Sequence, residues 1–196
     1  PYSSFEEMGI NWNPEVITQP FHEEFKKMCL DNQTAFTDGE HIGCYCGPVP
    51  PARINYQSDT PVFERPRRYP PALRVGIQRE LDRLVKMGVL QEVWSSRYNS
   101  QVRPVTKKSG KIRITIDLRK INERTADDSK QIQNIDDILA ALSDSGADMY
   151  SSLDISNFFY TLPLDSADAE ITSFSYYTKQ YSFLKLPQGL KSAPSH

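Results

Sequence analysis

The chain has 196 residues, of which 38% are hydrophobic and 24% charged, enough for a domain with a real core and in the ordinary range for a globular protein. No apolar run approaches the length of a membrane span and no signal peptide opens the chain. Three cysteines (Cys29, Cys44 and Cys46) are too few, and odd in number, for a disulfide framework and point to a reducing compartment. The chain starts at Pro1 and reads as a piece of something longer or as a processed product.

The net charge of −2 is unevenly spread. Residues 1–60 carry 9 acidic and 3 basic side chains, residues 61–96 carry 4 and 7, residues 97–125 carry 2 and 9, and residues 126–196 carry 10 and 4. A strongly basic segment inside an acidic chain is the expected footprint of a phosphate-binding surface, with a solvated charged face as the plain alternative.

Residues 1–20 are polar and contain Pro1, Pro14 and Pro20, as a linker would. Phe21, Phe25, Met28 and Cys29 give residues 21–37 a weak helical face. Residues 38–71 are rich in Gly and Pro and predict extended or looped chain. His41, Cys44 and Cys46 form an H-x2-C-x-C cluster without an evident fourth ligand, so buried free thiols are the expectation rather than zinc.

A helix follows Pro71, with Leu73, Ile77, Leu81, Leu84 and Val85 as its apolar stripe and Gly88 as its stop. An extended stretch covers about 100–106, and Ser109-Gly110 makes a turn. Residues 111–119 alternate strictly. Ile112, Ile114, Ile116 and Leu118 face one way, while Arg113, Thr115, Asp117 and Arg119 face the other, which predicts the second arm of a β-hairpin. Lys107, Lys108 and Lys111 surround its tip. A second helix fits Ile132 to Leu142 and ends at Gly146, with Ile135, Ile138, Leu139 and Leu142 as its apolar face. Residues 149–153 read as a short buried strand ending at Asp154, and residues 171–185 as a hairpin turning near Thr178-Lys179. Helices and strands without regular alternation predict an α+β fold.

Taken singly these features are unspecific, but their order is not. PVTKKSGKIRITIDLRKIN (104–122) resembles the fingers hairpin of reverse transcriptases of gypsy-type LTR retrotransposons and retroviruses. SSLDISNFFYTLPLD (151–165) resembles their first palm motif, and FLKLPQGLKSAPSH (183–196) the motif that follows it. RPRRYPPAL (65–73), ELDRLVKMGVLQEVWSSRYNSQVRPV (80–105) and NIDDILAAL (134–142) resemble the family's lead-in segment, its first helix with the turn into the fingers, and the helix before the palm strand. The match runs from about residue 50 to the last residue, in family order.

The resemblance implies the fingers and first part of the palm of a right-hand polymerase over residues 50–196, with residues 1–49 as a partly helical spacer. It implies an RNA-directed DNA polymerase, a nucleotidyltransferase working by two-metal phosphoryl transfer with Mg²⁺ (Mn²⁺ as a substitute). Asp154 would be the catalytic, metal-binding carboxylate, with the carbonyl of Ile155 as its neighbour ligand. Lys108 and Arg113 would meet the triphosphate of a dNTP. Phe159 would be the steric gate against a 2′-OH, and Gln188 would contact the sugar. Phe158 stands where the family has Gly or Ala against the phosphates, so its ring either crowds the triphosphate or turns aside. Lys107, Arg119 and Gly189 would meet nucleic acid, with Arg119 paired to Asp117 or bracing the template.

The implied partners are an RNA template, a DNA primer, dNTP and the remainder of a Pol polyprotein, with no membrane. The implied location is intracellular, in cytoplasmic virus-like particles. The family's Tyr/Phe-x-Asp-Asp carboxylates lie downstream of the Ser-x-Pro motif, so the 196 residues alone are expected not to polymerise. The rival reading is a domesticated, non-catalytic nucleic-acid or protein-binding module derived from such a polymerase.

Overall fold

The computed structural model describes residues 21–32, 47–48, 50–108, 110–127, 134–147, 155, 157–191 and 193. The chain divides into two compact units, residues 1–43 and 44–196. In the first, helix α1 spans Phe21–Asp31. Its end is closed by Asn32, whose side-chain amide donates to the Met28 carbonyl at 2.8 Å. Cys29 is a buried free thiol, and burial pushes its pKa up. Met28, on the same expected face, is exposed. Cys44 and Cys46 lie outside the described residues.

From residue 50 the second unit runs as irregular chain, as its Gly and Pro content predicts, and leads into helix α2 at Pro71–Lys86. Proline suits the first turn because its missing N–H would be unpaired there anyway. Ile77, Leu81 and Leu84 are buried to 1% exposure or less. Val85 is exposed and Leu73 half-buried, so the buried stripe is narrower than the sequence suggests. Gly88 takes φ +67°, the left-handed conformation that ends helices, and its amide bonds the Val85 carbonyl.

Strands β1 (Leu90–Val93), β2 (Gln101–Thr106) and β3 (Ile112–Asp117) follow, then the single-turn helix α3 (Arg119–Asn122). Strand β2 pairs antiparallel with β3, from Gln101 opposite Asp117 to Thr106 opposite Ile112. Ile114, Ile116 and Leu118 are buried, as the alternation demands. The hairpin packs through β3 on α2.

Helix α4 (Ile135–Asp144) starts at Asn134, whose side chain accepts from the Asp136 amide at 3.3 Å. The start expected at Ile132 lies outside the described residues. The apolar side chains Ile135, Ile138, Leu139 and Leu142 are exposed rather than covered. The strand expected at 149–153, and Asp154 with it, also lies outside the described residues.

Helix α5 (Phe158–Thr161), a 3₁₀ turn at Ala169–Thr172, and strands β4 (Phe174–Tyr176) and β5 (Lys179–Phe183) complete the unit. The last two form the hairpin expected at 171–185, and β1 adds to β5, giving the sheet order β1-β5-β4. Its core is aromatic. Phe174 stacks on Tyr181 with centroids 5.5 Å apart and lies 5.9 Å from Phe183. The two sheets meet where Ser100 bridges to Phe174 and its amide bonds the Ser173 carbonyl at 2.9 Å. The result is the α+β class the sequence predicts.

Candidate nucleotide and nucleic-acid site

The hairpin tip is closed by two backbone bonds, from the Lys107 amide to the Lys111 carbonyl at 2.8 Å and from the Gly110 amide to the Lys107 carbonyl at 2.9 Å. Lys107, Lys108 and Lys111 are exposed there, and so is Arg113 on the outer face of β3. None of the four has a carboxylate partner among the described residues. Four unneutralised cations within seven residues make a field that attracts polyanions.

Burial pushes the Tyr160 phenol up, and the nearby Arg113 guanidinium is the first influence opposing it. Arg113 thus lies close enough to Tyr160 for its charge to act on that phenol. Tyr160 anchors α5, with its ring 6.3 Å from Phe183. Phe159 is half-buried, Phe158 is exposed, and their rings meet edge-on at 5.7 Å. Asn157 turns the chain into α5 with φ +54°.

The segment after α5 leads to the Pro-Gln-Gly turn. Leu164 donates to the Leu184 carbonyl and Leu186 to the Leu162 carbonyl, each at 3.0 Å, so residues 162–164 run beside 184–186. Gln188 follows half-buried, and Gly189 takes φ +98°, which side chains with a Cβ rarely adopt. The turn is gripped from the fingers by Asn122. Its Nδ2 donates to the Gly189 carbonyl at 2.8 Å, while its Oδ1 accepts from the Lys191 amide at 2.9 Å. Lys191 further pairs with Asp127. Sequence reading missed Asn122. Its clamp spans 67 positions of chain, and a lone Asn after a strand gives no signal of it.

Arg119 and Asp117 pair, as expected. The Asp117 carboxylate accepts from Arg119 Nε at 2.8 Å and Nη2 at 2.7 Å, and from Arg103 Nε at 2.9 Å and Nη2 at 2.7 Å. The hydrogen bonds from Arg119, then those from Arg103, outweigh desolvation and hold the carboxyl well below the usual carboxylate range. A depressed pKa contributes stability above about pH 4, the unfolded carboxyl's range, and that contribution fades as pH falls toward the folded value. Asp117→Asn should therefore lower the melting temperature most at pH 7, and the gap to the parent should narrow between pH 4 and pH 2. A gap that stays constant across that range would assign the loss to something other than this charge.

The predicted residues thus fall into two described groups, the exposed hairpin cations and the Gln188–Gly189 turn tied to α3. Ile155 is exposed, and Asp154 lies outside the described residues. Among the described residues no group of three or more His, Cys, Asp or Glu side chains is placed to hold a metal ion, so they do not by themselves make up a cation site.

The comparisons with known proteins give the family and the fold. The family profile "Reverse transcriptase (RNA-dependent DNA polymerase)" matches residues 105–196. The Pol polyprotein of the Drosophila melanogaster transposon 412 is 36% identical over 149 residues, which is 73% of this chain and 12% of that protein. That of transposon gypsy from the same organism is 31% identical over 191 residues, 93% of this chain and 18% of that protein. Among solved structures, prototype foamy virus protease–reverse transcriptase superimposes with a TM-score of 0.76 at 25% identity, covering 91% of this chain and 24% of that one. A foamy viral protease–reverse transcriptase in complex with double-stranded DNA gives 0.74 at 25% identity over 97% of this chain and 32% of that one. The chain spans less than a fifth of the length of these two Pol polyproteins. In sequence motifs, fold and homologues alike, the chain belongs to the reverse transcriptase family of retrotransposon and retroviral Pol polyproteins.

Proposed function

We propose that this chain supplies the fingers and the first part of the palm, over residues 50–196, of an RNA-directed DNA polymerase that copies a retrotransposon RNA into DNA, with residues 1–49 as a spacer. The observation that supports this reading is the set of exposed cations Lys107, Lys108, Lys111 and Arg113 on the hairpin, without a carboxylate partner among the described residues, in a fold that superimposes on foamy virus reverse transcriptase. A dNTP is a tetravalent anion joined to a sugar, and it needs cationic donors next to a shaped apolar wall. Arg113 and Lys108 would hold the triphosphate. Phe159 would close off the space of a 2′-OH, with Gln188 at the sugar. Lys107, Arg119 and Gly189 would contact template and primer. Asp154, with Ile155, is where the family places its first metal ligands. Mg²⁺ or Mn²⁺, when bound, offsets the negative charge of phosphoryl transfer.

The test is extension of a DNA primer on an RNA template by a polymerase carrying this chain together with the rest of its palm. Arg113→Gln should raise the KM for dNTP about 10- to 100-fold, the worth of one charge-assisted hydrogen-bonding group. An unchanged KM removes Arg113 from the nucleotide site. Nucleic-acid binding without any extension would favour the non-catalytic module instead.

A further inference from the structure

Helix α2 carries a glycine well inside its span, at Gly76. Glycine is the weakest helix former after proline, because it gives up the most backbone freedom on ordering. Backbone conformation does not call for it here. Gly88, Gly110, Gly146 and Gly189 take positive φ, whereas Gly76 does not. The reason lies across the packing surface. A Cβ at Gly76 would stand 2.5 Å from Cδ1 of Ile112 and 3.2 Å from its Cγ1. Carbon atoms rest against one another at about 3.5–4.0 Å, so only glycine leaves room for Ile112 where it sits.

Ile112 is the outermost residue on the alternating apolar face of β3. Ile114 and Ile116 behind it are buried, and Ile112 itself is half-buried. Past it come the exposed Lys107, Lys108 and Lys111 of the tip, and the exposed Arg113 is its direct neighbour on the opposite face. The hairpin is a sheet of two strands only. Such a ribbon is marginally stable unless it packs on something, and β3 packs on α2. A β-branched side chain has little freedom about χ1. A group that pushed Ile112 out of its notch would therefore move the backbone at 112, and Arg113 with it.

We infer that the notch at Gly76 seats Ile112 and thereby sets where Arg113 stands, which makes Gly76 a positioning residue for the nucleotide. Gly76 acts through Ile112 and has no part in the chemistry. The link to the nucleotide rests on the reading that Arg113 holds the triphosphate, whereas the notch itself rests on the Gly76–Ile112 geometry. A glycine kept for packing alone would change stability when replaced and leave the nucleotide KM where it was.

The experiment has two arms. In the chain itself, amide hydrogen exchange is followed for G76A, G76L and G76A/I112V. Alanine and leucine are both strong helix formers, so α2 should hold while the larger side chain pushes Ile112 farther. Exchange at residues 105–107 and 111–113 should quicken about 3-fold or more in G76A and about 10-fold or more in G76L. I112V removes Cδ1, the nearest atom to the added Cβ, and should return G76A toward the parent. In the polymerase carrying this chain together with the rest of its palm, G76L should raise the KM for dNTP about 10- to 100-fold, with kcat changed less than about 3-fold. In an R113Q background G76L should add less than about 3-fold, because the two act through one group. Hairpin exchange unchanged in both G76A and G76L would overturn the notch. A KM rise from G76L that is as large without Arg113 as with it would overturn the positioning role, as would a loss confined to kcat. If R113Q alone leaves KM unchanged, the nucleotide role of Arg113 is what fails, and hydrogen exchange still decides the notch. If G76L does not fold, G76A and its rescue by I112V decide the matter.

Discussion

A Phe159→Val polymerase is expected to accept ribonucleotides about 10- to 200-fold better, relative to deoxynucleotides, than its parent, the range that removing a few methylene-sized groups from a pocket gives. The argument starts from how the ring is held. Tyr160 is buried against Phe183, and this pins α5 to the sheet. Phe159 is half-buried, with Phe158 edge-on beside it, so its ring is backed on one side and available on the other. In the proposed site Arg113 would hold the triphosphate, and the sugar is joined directly to that triphosphate. Valine keeps the site apolar but withdraws most of the ring, which opens room for a hydroxyl. The measurement is the ratio of kcat/KM for UTP to that for dTTP on one template. A ratio that does not move would make Phe159 a packing residue.

Phe174→Ala is expected to lower the free energy of unfolding by about 3–5 kcal/mol, the usual loss for a buried aromatic. Small proteins have only about 5–15 kcal/mol to lose. Phe174 is fully buried and touches both Tyr181 and Phe183. It also stands at the bridge to Ser100, where the three-stranded sheet meets the chain entering β2. Its loss would therefore leave a cavity at the joint between the two sheets. Urea denaturation gives the number. A loss below about 1 kcal/mol would mean that Tyr181 and Phe183 close over the gap.

Strict alternation from Ile112 to Leu118 announced the fingers hairpin, because a period of two over that length has no helical reading. Alternation alone does not give the register, which runs from Gln101 opposite Asp117 to Thr106 opposite Ile112. Strand β1 went unseen because four residues are too few to show a period. The 3₁₀ turn at Ala169–Thr172 and the single-turn α3 escaped for the same reason. In α4 the pattern gave the helix but not its surroundings. Periodicity reports an apolar face without reporting what covers it, and here that face is exposed. At the candidate site, motif order picked out Lys108, Arg113, Phe159 and Gln188, whereas several contacts that fasten the surrounding segments are long-range. Arg53 of the extended lead-in binds Asp168 at 2.8 Å across 115 residues, and Asn122 reaches Gly189 across 67. Such pairs leave no local trace in a single sequence.

The Asn122 clamp has a mechanical consequence. Asn122 belongs to the turn of helix that follows β3 directly, so the root of the hairpin and the Pro-Gln-Gly loop are fastened to each other by two hydrogen bonds and the Lys191–Asp127 pair. Asp117 fastens the same root again by tying β2 to α3 through Arg103 and Arg119. A lever braced in this way cannot swing from its base. Any bending of the hairpin that left these bonds intact would pivot farther out, beyond the Pro104–Ile114 pair, so that the outer lysines would travel while the loop beneath kept its register.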